Sequence, residues 1–292
     1  LELLIRMRRV LSLEIRKAFC GRWFAIAVAI ALVLAGLAAV ESINQFEVIG
    51  FNTANTDAYP YYSSWSCYAA WLGVGAWGRA GFYYLFFYGM VFIAPFAYSW
   101  SSVTEMRSGY YCQEITRCPR WQYYFSKLIA SFCASAAVAA IALLSNMIFV
   151  ACYFPAFMPN AYDSLYTGMT YSEVFADVFY SNPAFFVFLR TLFDSCLCGA
   201  WGALVLSIGW FVKRVSFALI LPYFFLLIFE FCNHFFFAAL TSVPIFEFSI
   251  FQILQGWSFE YAHEPIISVS IVALLILLSA VLAFSRNRSG AR

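Results

Sequence analysis

Charge is what this 292-residue chain has least of. Only 11% of its residues are Asp, Glu, Lys or Arg and 64% are hydrophobic, whereas a soluble domain carries roughly a quarter charged residues. No charged residue occurs over positions 82–103 or 128–154. Each run exceeds the ~20 residues that an α-helix needs to cross a bilayer, which excludes an ordinary soluble domain. Histidine is limited to His234 and His263. His263-Glu264 lacks the second histidine of a zinc-protease helix, and no nucleophile–base–orienter set is visible. There is no G-x-x-x-x-G-K-[ST] loop, so the chain does not hydrolyse ATP by that route. The nine cysteines are scattered without zinc spacing, and most fall where they act as small apolar residues. No polar block is long enough for a separate soluble domain, so residues 1–292 are read as one transmembrane domain.

What is present is a set of six apolar runs, at 23–40, 82–103, 128–154, 191–212, 216–239 and 266–285. The expected fold class is all-α, a polytopic membrane protein with six transmembrane helices. The first run is longer than a usual signal-peptide core and is read as a retained span. The fourth and fifth are separated by only residues 213–215, a tight hairpin with a basic tip. With the amino terminus placed inside, all of the 17 basic residues except Arg79 and Arg190 fall in cytoplasmic segments. That is the positive-inside pattern. It predicts a multi-pass protein of the cell membrane with both termini cytoplasmic.

Outside the spans, residues 1–22 form a basic amphipathic helix. Leu4, Met7, Leu11, Ile15 and Ala18 recur at helical spacing, with Arg9, Ser12 and Arg16 opposite, as in a helix lying in the inner interface. Two long external loops, 41–81 and 155–190, are rich in interfacial aromatics such as Trp65, Trp71 and Trp77. Gly73, Gly75 and Gly78 spell a literal G-x-G-x-x-G. They lack the strand before and the helix after that a dinucleotide site requires, so they are read as flexible backbone. Segment 241–261 is very apolar, yet it holds Pro244, Glu247 and Gly256. It reads as an external re-entrant segment shielded by protein.

Ionisable residues inside spans are costly, at least ~2.5–3.5 kcal/mol each at the bilayer centre, and so they mark sites. Arg190 and Asp194 lie four apart and share a helix face; a structural ion pair is favoured over a substrate contact. Glu230 and His234 are also four apart. A hydrogen-bonded pair facing another helix is the reading there, with a proton or metal site as the alternative.

The segment 104–127, TEMRSGYYCQEITRCPRWQYYFSK, is polar and of mixed charge between two uncharged runs. It is too long and too patterned for a turn. It resembles the loop between the second and third spans in permeases of the type-2 ABC exporter family. The resemblance rests on an acid, Glu105; a glycine, Gly109; an apolar helical stretch at 110–115; Pro119-Arg120; and Lys127 opening the third span. The amphipathic amino-terminal helix, six spans, cytoplasmic ends and re-entrant segment also match. Tyr110, Cys112, Gln113 and Glu114 depart from the pattern by making the stretch more polar than its usual leucine-rich form.

The resemblance implies a permease subunit rather than an enzyme. It would dimerise with a second copy or a related permease, and a separate ABC ATPase subunit would bind the ATP and Mg. No cofactor, metal or nucleic acid is expected in this chain, whose other partner is membrane lipid. Coupling to the ATPase would fall on Glu105, Arg107, Gly109, Tyr110, Glu114, Ile115, Pro119 and Arg120. The cargo would be amphipathic or hydrophobic and move outward. Two other readings stand beside it: a membrane-embedded enzyme or accessory protein using Asp194, Glu230 and His234, or a channel that needs no nucleotide.

The charge pattern generates a topological prediction. Single cysteines within 52–62 and 162–172, in a background lacking other reactive thiols, should react with an impermeant reagent on intact cells. A cysteine at Ser108 should react only after permeabilisation. The reverse labelling would overturn the orientation.

Overall fold

The computed structural model describes residues 2–54, 66–73, 81–159, 174–233, 248–255 and 265–289. Among these the chain is predominantly helical, without strands, and six helices are long and apolar enough to span a membrane. It is an all-α polytopic membrane protein. Helix α1 (Glu2–Phe19) precedes α2 (Arg22–Ala54), the first span. After the short α3 (Cys67–Leu72), the second span comprises α4 (Gly81–Phe96) and α5 (Ser101–Ser108). Helix α6 (Tyr110–Arg117) leads into α7 (Arg120–Ala151), the third span. Then come α8 (Ala176–Ser181), α9 (Pro183–Gly209) and α10 (Val215–Cys232). The chain closes with α11 (Ile250–Gln255) and α12 (Pro265–Ser289).

The helix ends differ from the apolar runs for local reasons. Asn182 caps α9, accepting from the backbone N–H of Phe185 at 3.1 Å, and Pro183 stands at the first turn, where its missing N–H has no cost. Helix α9 therefore starts well before position 191 and carries Arg190 inside it. Helix α7 starts directly after Pro119, so Lys127 lies two turns inside the helix. Helix α2 continues to Ala54 because no proline interrupts it.

The second span is broken, and its break is fully accommodated. Pro95 cannot donate to the carbonyl four residues back, that of Val91. The indole N–H of Trp201 on α9 donates to that carbonyl instead, at 3.1 Å. The Ser135 hydroxyl on α7 donates to the Ala94 carbonyl at 3.0 Å. Irregular backbone persists at membrane depth only when protein replaces the lost hydrogen bonds, and α7 and α9 do so here.

Helix α7 is the centre of the bundle, packed on α1, α2, α4 and α9. Its buried side chains Ala130, Ser131, Ala134, Ser135, Val138, Ala139 and Ala142 are small, which lets neighbouring backbones approach closely. At Gly202 of α9, an added Cβ would stand 2.0 Å from the Ser135 hydroxyl oxygen; only glycine fits. The Gly202 carbonyl accepts from both Ser99 and Ser131, at 2.9 and 3.0 Å. In contrast, α2, α10 and α12 expose long apolar faces, including Val33, Phe225 and Leu277, as membrane-facing helices do.

Candidate functional site

The amphipathic helix α1 carries one residue that breaks its pattern. Glu14 falls beside Leu11, Ile15 and Ala18 on the apolar side, and the fold buries it. A buried carboxylate requires a partner. That partner is Lys127 of α7, which is completely buried.

Lys127 Nζ lies 3.2 Å from Glu14 Oε2 and 2.9 Å from Glu105 Oε1 of α5. It also donates toward the hydroxyls of Tyr98 and Ser101, each at 3.3 Å. An ammonium has three protons, and all of them find acceptors. The carboxylate oxygens take further donors. Tyr98 donates to Glu14 Oε2, and Tyr123 donates to Glu105 Oε2 at 2.8 Å. Lys17, one turn beyond Glu14, donates to Glu14 Oε1 at 2.8 Å and to the Tyr110 hydroxyl at 3.2 Å. The cluster holds two ammonium groups and two carboxylates, so its formal charge balances.

Electrostatics follow from the contacts. Burial alone would push the Glu14 carboxyl up, but Lys127 and Lys17, with the Tyr98 hydroxyl, hold it below its ordinary value. Burial alone would lower Lys17; its hydrogen bond and charge pairing with Glu14 raise it instead. The Tyr110 hydroxyl is pushed up because it donates to the Glu114 carboxylate.

Helix α5 ends at Gly109, whose φ of +74° is left-handed, a conformation glycine reaches without a Cβ penalty. The turn redirects the chain into α6. Tyr111 packs on Tyr123 and Tyr124 of α7 with ring centroids 5.3 and 6.0 Å apart, and its hydroxyl bonds that of Tyr124 at 2.6 Å. The α6 face opposite this contact exposes Cys112, Gln113 and Thr116.

The residues expected at a partner interface thus divide into two groups. Glu105 is turned inward to Lys127, while Tyr110, Glu114, Ile115 and Arg120 are half-buried. Arg107, Gly109 and Pro119 are exposed. Sequence reading missed Glu14, Tyr98 and Tyr123. Glu14 had a visible signal, an acid on the apolar side of an amphipathic helix; nothing marked the two tyrosines among so many aromatics.

The intramembrane polar residues form a second pair of contacts, away from α1. Arg190 Nε donates to Asp194 Oδ2 at 3.1 Å, with both side chains buried. Arg190 Nη2 donates to the carbonyl of Ile253, in the last turn of α11, where helical carbonyls have no internal partner. Glu230 accepts from Gln252 Nε2 at 2.8 Å and from the Tyr88 hydroxyl at 3.3 Å. Neighbouring residues of α11 therefore bind both sites. Of the expected re-entrant segment 241–261, only 248–255 is described, and it is this buried helix. His234, expected beside Glu230, lies outside the described residues. Among the described residues, no His, Cys, Asp and Glu converge in a metal-binding group.

No family model, curated protein or solved structure matches the chain.

The buried cluster sets a clear expectation for a substitution series read by thermal unfolding in detergent. Lys127→Met leaves Glu105 without its cation and Glu14 with Lys17 alone, and should cost about 3–5 kcal/mol. Adding Glu14→Gln and Glu105→Gln should recover most of that loss; a triple variant as unstable as the single would refute the pairing. Because the Glu14 pKa is depressed on folding, its contribution is present above the unfolded value of about 4.3 and is lost as pH falls through the lower folded value. Glu14→Gln should lack that acid-side loss.

The α9 pair should behave differently. Arg190→Met or Asp194→Leu alone should destabilise strongly, and the double variant should recover only part of the loss, because the Ile253 carbonyl stays without its donor. Full recovery would show that the α11 contact is unimportant. A double variant that is well folded but inactive in transport would instead mark a cargo contact.

Proposed function

We propose that this protein is the permease subunit of an ATP-driven exporter, embedded in the cell membrane with α1, α5 and α6 on the cytoplasmic side. A separate ABC ATPase binds ATP and Mg and docks on the surface formed by α1 and α6. A second permease copy completes the pathway. The observation that carries this reading is the Lys127–Glu14–Glu105 cluster. It joins the amphipathic helix, the end of the second span and the start of the third into one stiff unit, beside which α6 presents an exposed polar face.

The physical argument concerns force. Coupling between sites travels through contiguous packed and hydrogen-bonded elements. An ATPase pushing on α6 would move the second and third spans together, since Gly109 and Pro119 root α6 in α5 and α7. Helix α7 touches most of the bundle, so its displacement would reach α9 and α4, where the cargo path would open. Six apolar helices fit a transport protein. The alternative, an embedded enzyme using Asp194, Glu230 and His234, draws less support, because Asp194 is paired with Arg190 and Glu230 accepts from two neighbouring helices.

Affinity purification from native membranes should recover an ABC ATPase with this chain. In the reconstituted complex, Gly109→Val forces a β-branched residue into a left-handed turn at about 1–3 kcal/mol, although no atom lies within 4 Å of the added Cβ. Transport-coupled ATP hydrolysis should fall at least about fivefold, with the permease still inserted. Gly109→Asn, which tolerates that turn, should retain most of the activity, and Gln113→Trp on the exposed face should lose it. Cargo flux without nucleotide or ATPase would replace this reading with a channel.

A further inference from the structure

Where α7 and α12 meet at the α1 end of the bundle, two helical stripes face each other across an open groove. Trp121, Tyr124, Phe125 and Leu128 form one wall, and Ala280, Ala283, Phe284 and Asn287 the other. The groove encloses about 170 Å³. The two alanines make it by withholding side-chain volume, while Trp121, Phe125 and Phe284 stand exposed at its edges. Its walls are apolar apart from Asn287 and the Tyr124 hydroxyl, which already bonds Tyr111.

Arginines lie beside residues of both walls. Arg286 and Arg120 lie close enough to act electrostatically on the Tyr124 hydroxyl. The Arg286 guanidinium sits 6.0 Å from the Phe211 ring, and that of Arg288 sits 4.6 Å from the Phe284 ring. Arginine packed over an aromatic edge keeps its stem in apolar surroundings and its charge at the water boundary. An apolar slot between two spans, with guanidinium groups beside residues of its walls, matches a molecule with a hydrocarbon tail and an anionic head. A second copy of the chain would cover the apolar walls and bring another set of like charges against the first.

We propose that this groove is a binding site for one anionic phospholipid, with an acyl chain between α7 and α12 and its headgroup phosphate on Arg286 and Arg288. The inference stands apart from the transport reading, since it rests on the groove and its charges alone.

The test uses the full chain in nanodiscs of phosphatidylcholine alone or mixed with phosphatidylglycerol, read by unfolding temperature and by native mass spectrometry of retained lipid. The wild type should unfold several degrees higher with the anionic lipid and retain it. Ala283→Trp, which fills the slot, and the double variant R286Q/R288Q, which removes two of the guanidinium groups, should each lose most of that shift and the retained lipid. R8Q/R9Q, which removes two exposed charges from α1, should keep both. Should Ala283→Trp fail to fold in phosphatidylcholine, the two arginine pairs decide. An equal loss in R8Q/R9Q would mean general surface attraction and overturn the site. An unchanged shift in R286Q/R288Q would overturn it too, as would efficient cross-linking of Ala280→Cys between copies with no lipid retained.

Discussion

One buried ammonium group organises the α1 end of this protein. Lys127 has no exposure to solvent, and a lone cation there would carry a desolvation cost of several kcal/mol. Two carboxylates from different parts of the chain offset that cost, one from the amphipathic helix and one from the end of the second span. Each carboxylate also takes a tyrosine hydroxyl, Glu105 on its other oxygen and Glu14 on the oxygen that faces Lys127, with Lys17 on the remaining one. The geometry admits little slack, because withdrawing Lys127 or Glu105 removes a charge partner that the other needs in a buried setting. A peripheral helix that would otherwise lie loosely on the membrane surface is thereby fixed to the central helix of the bundle.

The membrane-embedded part obeys the same rule at its backbone carbonyls. Pro95 releases the Val91 carbonyl of the second span, which Trp201 meets, and Ser135 donates to the neighbouring Ala94 carbonyl. The Arg190 guanidinium supplies the donor that the end of α11 lacks. In each case a defect in one helix is answered by a side chain of another. Lipid offers no substitute hydrogen bonds, so such answers hold the helices in a particular register. Small residues on α7 and Gly202 on α9 bring the backbones near enough for this.

The two polar regions suit different tasks. The Lys127 cluster lies where α1, α5 and α7 converge, next to an exposed polar helix face, and in the proposed permease it would transmit displacement through its linked members. The Arg190 and Glu230 sites grip a short buried helix from two sides. They hold α11 through hydrogen bonds to the Ile253 carbonyl and from the Gln252 amide.

The residue pattern by itself determined the all-α class, the six spans and the patterned segment between the second and third. These depend on local hydropathy and on the absence or presence of charge, which act within one helix length. Gly109 and Pro119 likewise announced the ends of α6. The tertiary structure decided the rest. Lys127 was placed at the opening of a span, but a helix beginning at Pro119 carries it inside and buries it. Arg190 was placed near a span end, yet an Asn182–Pro183 start draws it into the helix. Glu14 was an acid out of place on the apolar side of an interfacial helix, and only the packing of α7 against it supplies its partner. Whether an ionisable group is solvated, paired or stranded depends on which distant helix covers it, and that is a property of packing, to which hydropathy along the chain is blind.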